Sequence, residues 1–346
     1  MVDESQGEID GDPRRTQLGD IAAETGFSVP TISKVLNGRP GISEHTRSLV
    51  EQALRKHGYQ RRNRLGMQSR LIEVVFQDFN NLWALEVMRG VIREAKKHDI
   101  SVITTESGDR NHPDSQWLDS IIQRKPLGAI LIFSDLSQQE RARLQSQGIA
   151  YVLFDPSGDP AQTSFSVQAD NWAGGVLATR HLIALGHRRI GTITGPMEMM
   201  CTRARLDGYS TALAEAGIAV DPALITEGDY TTQGGYAAAM ELLSDPHAPT
   251  ALFAGNDLQA MGTYEAARQL GLRIPEDLSV VGFDDVQAAA YLGPPLTTVM
   301  QPLQDMAAAA TRMIIGISRG EDCERHLILP TKLIVRSSTC RLTTTP

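Results

Sequence analysis

Between Thr16 and Asn37 the chain reads TQLGDIAAETGFSVPTISKVLN. Its apolar positions Leu18, Ile21, Ala22, Phe27, Ile32, Val35 and Leu36 fall at helical spacing on either side of a Gly-Phe-Ser turn. That spacing leaves Val29, Pro30, Thr31, Ser33 and Lys34 facing outward on the second of two short helices, a face of two apolar groups, two hydroxyls and one ammonium. Gly26 is placed to close the first helix and Ser28 to cap the second. Pro30 sits in the first turn, where its missing N–H breaks no intrahelical bond. Two helices joined this way form the layout of a helix-turn-helix unit, whose second helix enters the DNA major groove. A third helix is predicted from Ser43, as N-cap, through Leu49, Val50, Ala53 and Leu54 to Gly58. A small helical bundle of no special function would show the same three helices, and charge separates the two readings.

The 346-residue chain carries a formal charge of −8, which by itself argues against a nucleic-acid partner. Distribution reverses that argument. From Arg14 to Arg70 there are eleven Lys or Arg against four acids, so the remainder carries −15. A basic segment joined to an acidic body is the electrostatic footprint of a nucleic-acid-binding module, and its affinity should fall steeply with salt.

Other chemistries find little support. There is no Walker loop, no His-Glu-x-x-His and no Cys-x-x-Cys; Cys201, Cys323 and Cys340 are far apart and odd in number, so neither a metal nor a disulfide framework is predicted. Gly174-Gly175 and Gly234-Gly235 open helical stretches without completing a dinucleotide fingerprint. Asp284 and Asp285 are neighbours on one strand and should point to opposite faces, so they do not form a carboxylate pair for hydrolysis. No enzyme activity and no cofactor are expected. No apolar run reaches the roughly 20 residues that span a bilayer, and no signal peptide is recognised, so a cytoplasmic, nucleoid-associated protein with no membrane partner is expected. Residues 1–13, acidic and glycine-containing, read as a disordered leader.

From Leu71 onward short apolar runs alternate with longer amphipathic stretches. LIEVVF, SVITTES, GAILIF and AYVLFD read as strands, with helices near Ala84 to His98, Pro113 to Lys125 and Leu136 to Gln147. A second set follows, RIGTIT, ALIT, TALFAG and LSVVGFD, with helices near Asn171 to Leu185, Arg203 to Ala216, Thr232 to Leu243 and Leu258 to Leu270. The expected fold class is α/β, with two doubly wound parallel-sheet lobes preceded by a small all-α helix-turn-helix headpiece. Ligands of such sheets bind at the carboxyl ends of the strands, here between the lobes.

The runs DIAAETGFSVPTISKVLNG and ISEHTRSLVEQALRKHGY resemble, without a gap from Thr16 to Tyr59, the headpiece of the lactose/galactose repressor (LacI/GalR) family. The resemblance implies base reading by Val29, Pro30 and Lys34, and phosphate contacts from Thr16, Ser28, Thr31, Ser33, Asn37, Ser43, Thr46 and Tyr59. Short hydroxyl and amide groups suit phosphate oxygens, whereas Val29 and Pro30 offer only apolar contact, for example to a thymine methyl. After Tyr59 the family's usual Pro-Asn pair and hinge helix are replaced by QRRNRLGMQSR. Leu65 or Met67 stands where a minor-groove wedge would be, with Arg61, Arg62 and Arg64 supplying groove electrostatics; an unstructured basic linker fits the same residues. The expected domains are therefore a headpiece at 14–60, a hinge or linker at 61–70 and an effector-binding core at 71–340.

The body is similar to the family's effector-binding core, related to periplasmic sugar-binding proteins, through LGHRRIGTITGP, RLDGY, AGNDLQAMG, SVVGFDD and PPLTTV. That resemblance implies crossings between lobes near Val167, Pro295 and Leu329, with an N-lobe of about 71–167 and 296–328 and a C-lobe of about 168–295 and 329–340. It further implies effector contacts from Trp83, stacking on a sugar ring unless it is a core residue, and from Arg205, Asn256 and Asp284. Arg205 would fork onto hydroxyls or a carboxylate. Asp155, at the end of the fourth strand, is a further candidate with a loop-capping alternative. One aromatic platform with several polar groups suits a mono- or oligosaccharide, and DLSQQERARL, DNWAGGVLATRHL and MCTRARLDGY resemble a subgroup associated with xylose or xylosides. The tail after Ile334 has no leucine heptads, which predicts a homodimer on a pseudo-palindromic operator in double-stranded DNA. The whole reads as a transcriptional repressor released by a small sugar. The alternatives are a corepressor-dependent regulator and a sugar-binding protein with a non-functional headpiece.

Overall fold

The computed structural model of the chain describes residues 18–36, 41–56, 69–77, 79, 81–108, 116–132, 136–158 and 160–342. Thr16, Asn37, Tyr59, Arg61, Arg62, Arg64, Leu65 and Met67 lie outside the described residues, as does the leader. What is described divides into two units.

The first unit holds α1 (Leu18–Thr25), α2 (Val29–Leu36), α3 (Glu44–Lys56) and a later helix, α6 (Gln138–Ser146). The first three enclose a core of Ile21, Ile32, Val35, Val50, Ala53 and Leu54, flanked by half-buried Leu18, Ala22, Phe27 and Ile42. Each fully buried aliphatic side chain contributes about 1.5–3 kcal/mol, enough for a minimal three-helix core. Gly26 ends α1 with φ +71°, a conformation that costs residues with a Cβ, and its N–H donates to the Ala22 carbonyl at 3.0 Å. Leu49, predicted inward, is 40% exposed. The buried α3 stripe is formed by Val50, Ala53 and Leu54.

The second unit contains two six-stranded sheets. In the N-lobe, β1 (Leu71–Phe76), β2 (Ser101–Glu106), β3 (Gly128–Ile132), β4 (Ala150–Phe154), β5 (Ser166–Ala169) and a late strand, β11 (His326–Leu329), lie in the order β11-β5-β4-β3-β1-β2, all parallel. Helices α4 (Leu82–Lys96), α5 (Gln116–Arg124) and α11 (Leu303–Arg319) accompany them. Ile72, Val74, Phe76, Ile130, Ile132, Val152 and Phe154 pack with Val87 and Val91 of α4 and Met306, Ala310 and Ile314 of α11. In the C-lobe, β6 (Ile190–Thr194), β7 (Ile225–Glu227), β8 (Ala251–Ala254), β9 (Ser279–Asp284), β10 (Thr297–Met300) and β12 (Lys332–Ile334) run β12-β10-β9-β8-β6-β7, with only β12 antiparallel. Here α7 (Asn171–Ala184) and α8 (Met200–Glu215) cover one face, and α9 (Thr232–Leu243) and α10 (Asp257–Gln269) the other. Strand alternation serves both: Leu252 and Val280 join the α9–α10 core, whereas Phe253, Val281 and Phe283 join the α7–α8 core. Burial on both faces explains the nearly unbroken apolar runs in the sequence.

Several boundaries differ from expectation. β5 lies wholly in the first sheet, so the first crossing is at Asp170. β10 pairs with β9 in the second sheet, which moves the second crossing from Pro295 to Gln301-Pro302. LTTVM hides a strand from an apolar count because its buried threonines satisfy their hydroxyls internally, as Thr298 does on Asp257 at 2.6 Å. Of the predicted strand ALIT, Ala223 and Leu224 end a 3-10 turn, Pro222–Leu224, and Ile225 and Thr226 open β7. The strongly amphipathic α11 was not anticipated. It belongs to the N-lobe core although its chain arrives from the C-lobe. The third crossing, Pro330-Thr331, lies beside the first: the Asp170 N–H donates to Leu329 O at 2.9 Å, and Thr331 Oγ1 donates to Asp170 O at 3.2 Å.

Candidate functional site

In the headpiece, Ser28 caps α2, its Oγ accepting the Thr31 N–H at 3.3 Å, and the Ser28 and Thr31 hydroxyls lie 2.9 Å apart. Ser43 and Thr46 repeat the arrangement at the start of α3, at 3.2 Å and 2.8 Å. Four hydroxyls expected at phosphates thus sit in two pairs at helix N-termini, where unpaired backbone N–H groups favour anions. Val29 is 43% exposed, Pro30 and Lys34 are exposed, and Thr31 and Ser33 are half-buried, while Ile32 and Val35 on the other side of α2 are buried. An exposed Val29 and Pro30 beside a lysine are unusual for a helix that meets only water, and usable for one that meets base edges.

The second site forms where the lobes meet. Asp155 follows β4 with φ 47°, and its N–H donates to Val167 O at 2.8 Å. Asn171 opens α7 behind Asp170, which caps the helix by accepting the Ala173 N–H at 2.9 Å. Arg205 reaches in from α8. The approach of α8 to α7 depends on Gly175, since a Cβ there would lie 2.2 Å from the Arg205 carbonyl oxygen. This contact gives Gly175 a packing role in place of a phosphate-binding one. Asp284 ends β9 with φ 112° and Asp285 follows with φ 58°. Two consecutive aspartates in conformations that L side chains avoid mark a strained strand end of the kind found at binding sites.

These side chains form one chain of contacts. Gln301 Nε2 donates to Asp284 Oδ1 at 2.6 Å, and Asp284 Oδ1 lies 4.0 Å from Arg205 Nη2. Arg205 Nε donates to Asn171 Oδ1 at 2.8 Å and Nη1 to Gly255 O at 2.6 Å, with the guanidinium 3.7 Å above the Phe283 ring centroid. Asn171 Nδ2 then meets Asp155 Oδ1 at 3.4 Å. Asp155 belongs to the N-lobe, Gln301 to a crossing and the rest to the C-lobe. The Met200 N–H joins the lobes again by donating to Ser157 O at 2.8 Å. Burial pushes Asp155 up to about 6 against the pull of Arg205 and Asn171. Burial likewise pushes Asp284 up to about 7, opposed by Arg205 and Gln301 and reinforced by Asp155.

Of the five expected effector residues, Asp155, Arg205 and Asp284 join this cluster. Asn256 caps α10, accepting the Gln259 N–H at 2.9 Å and donating to Tyr230 O at 3.0 Å; Tyr230 in turn lies beneath Arg205, 5.7 Å from ring centroid to guanidinium. Trp83 is 7% exposed in the N-lobe core, edge-on to Phe154 at 5.7 Å between centroids. Asp285 turns away to Arg336, 2.7 Å, so the adjacent aspartates do serve different partners. Sequence reasoning missed Asn171, Phe283, Tyr230 and Gln301. Asn171 had a signal, an Asp-Asn pair opening a helix, and Gln301 had one in the glutamine before Pro302. Among the described residues no group of three or more His, Cys, Asp or Glu is placed to hold a metal ion, and no helix is long and apolar enough to cross a membrane.

Residues 17–62 match the family described as bacterial regulatory proteins, lacI family, and residues 179–339 match the periplasmic binding protein-like domain. The HTH-type transcriptional repressor CytR of Escherichia coli (strain K12) is 33% identical over 331 residues, covering 93% of this chain and 96% of that one. Among solved structures, the transcriptional regulator CelR–cellobiose complex is 31% identical with a TM-score of 0.72, covering 94% of this chain and all of that one. The lac repressor dimer bound to operator and the anti-inducer ONPF is 27% identical with a TM-score of 0.70, over the same shares. None of these is named for xylose or a xyloside, and the expected subgroup finds no support among them. The chain belongs to the LacI family of bacterial regulatory proteins.

Proposed function

We propose that the protein is a homodimeric, sequence-specific repressor of transcription, acting on DNA in the cytoplasm and released from a pseudo-palindromic operator by a small sugar held between the lobes of its core. The observation that carries this reading is the two-sided α2, with Ile32 and Val35 buried and Val29, Pro30 and Lys34 exposed behind a Ser28 cap. Asp155, Arg205, Asn256 and Asp284 remain the proposed effector residues, and Trp83, buried against Phe154, takes the core role that was its alternative. The protein works by binding and catalyses nothing: the effector need only have unequal affinity for the DNA-bound and free forms, because equal affinity shifts no equilibrium.

The test is selection of random double-stranded DNA by the purified protein, followed by titration of the enriched sequence. An inverted repeat with half-sites about one helical turn apart is expected, with affinity falling steeply as salt rises. Recovery of no repeat would end the reading. Lys34→Ala should weaken the enriched operator by about five- to tenfold, roughly 1–1.4 kcal/mol, and leave sugar affinity unchanged; an unaltered operator affinity removes Lys34 from the recognition face.

A further inference from the structure

The outward face of α2 changes chemistry along its length. Its first turn exposes Val29 and Pro30, whose side chains carry no hydrogen-bond donor or acceptor, and Pro30 lacks a backbone N–H as well. The exposed ammonium of Lys34 comes a turn later. On the opposite side Ile32 and Val35 are locked in the three-helix core, which fixes the roll of the helix and keeps Val29 and Pro30 outward. Ser28 and Thr31, hydroxyl against hydroxyl at 2.9 Å, flank the pair and are the groups expected at phosphates. The part of α2 nearest its start is therefore apolar where a reader of bases is usually polar.

The N-terminal residues of the second helix in such a unit meet base edges in the major groove. Each base pair shows hydrogen-bond acceptors and donors there, and thymine adds a methyl group at C5. Val29 and Pro30 cannot return a hydrogen bond to any of the polar groups. Placed against guanine N7 and O6 they displace water and give nothing back, whereas against a methyl they bury apolar surface. Discrimination by this pair thus falls on one group, the methyl at pyrimidine C5. Cytosine and uracil have hydrogen at that carbon, and 5-methylcytosine has the same methyl as thymine. Thymine O4 and the cytosine N4 amino group differ in hydrogen bonding, which these two side chains do not sense.

We propose that Val29 and Pro30 are specificity-determining residues that read the C5-methyl of a pyrimidine, so that the base pairs facing the start of α2 are selected as thymine and accept 5-methylcytosine in its place. Methylation of a cytosine at such a position then raises operator affinity. The proposal rests on the DNA-binding repressor reading above and names the feature of the operator that the recognition helix selects.

The experiment uses the full chain and the operator enriched by selection, with affinities measured at one fixed salt concentration. Each thymine of one half-site is replaced in turn by deoxyuridine, and then by cytosine or 5-methylcytosine opposite guanine. At one or two positions deoxyuridine should weaken binding about fourfold, the value of one buried methyl. At those positions 5-methylcytosine should stay within about twofold of thymine, with cytosine weaker by about fourfold or more. Val29→Ala or Pro30→Ala should bring the thymine-to-deoxyuridine ratio at one such position below about twofold; a merely structural role would weaken both operators alike and leave the ratio as it was. Half-sites without thymine, deoxyuridine that binds as well as thymine throughout, or 5-methylcytosine as weak as cytosine each overturn the inference and leave the repressor reading intact. A ratio unchanged in both variants overturns the role given to this pair. Recovery of no repeat ends the repressor reading, and the inference falls with it.

Discussion

The two lobes share one topology and present opposite chemistry at the ends of their strands. At the N-lobe rim the chain ends β1, β3 and β4 on Phe76, Ile132 and Phe154, with Trp83 packed against Phe154, and Asp155 follows β4 into the polar cluster. At the C-lobe rim β6, β8 and β9 end on Thr194, the Gly255-Asn256 step and Asp284, and α8 sends Arg205 across them. Among the described residues the N-lobe contributes the apolar strand ends Phe76, Ile132 and Phe154, and the C-lobe a hydrogen-bonding network. A doubly wound sheet dictates where a site lies, and the residues at its strand ends decide what each half contributes.

The comparison breaks most visibly at Arg205. Arg205→Ala leaves Asp155 and Asp284 buried without their cation and should cost about 3–5 kcal/mol in urea unfolding. A loss below about 1 kcal/mol would mean that the C-lobe rim is no network. On the apolar side, Trp83→Leu should cost about 2 kcal/mol through lost packing and leave sugar affinity within about twofold. A tenfold loss of affinity would instead make Trp83 a stacking platform. The smallest effect separates the lobes by pH. Asp155 rises from 3.8 to about 6 on folding, so the folded chain keeps a proton that the unfolded chain releases. Its contribution is fully present below pH 4 and is lost as pH rises through about 6. Asp155→Asn should therefore be more stable than the parent at pH 8, by roughly 1–3 kcal/mol, with the gap closing toward pH 4. A gap of the same size at both values would show that Asp155 ionises normally.

Much of the headpiece was legible in the chain. Ile32 and Val35 recur at a spacing that leaves one orientation for α2, and Gly26 ends α1 and Ser28 starts α2 for local reasons, a tolerated positive φ and a hydroxyl acceptor. Strand ends were readable where an apolar run stops at a polar residue, which is how Asp155 was found, whereas Asp284 came from the family resemblance of SVVGFDD. Asn171, at the first position of α7, and Gln301, between β10 and α11, carried only weak signals, because each acquires its role when two distant segments meet, and Phe283 was indistinguishable from any core phenylalanine. β10 and α11 escaped for a related reason: the buried threonines of β10 look polar until their partners are known, and α11 packs on a lobe that its sequence neighbours have left.

The sequence by itself determined the three-helix headpiece, the alternating strands and helices of the body, and the basic-to-acidic charge step, all of which depend on contacts or counts local along the chain. Only the tertiary structure decided that Asp155 Oδ2 and Gln301 Oε1 lie buried without a donor among the described residues, that Arg205 donates to Asn171 and Gly255, and that Trp83 packs on Phe154. Hydrogen-bond supply and burial belong to groups brought together from residues 155, 171, 205, 284 and 301, and no local pattern in a chain records how such groups will share their protons.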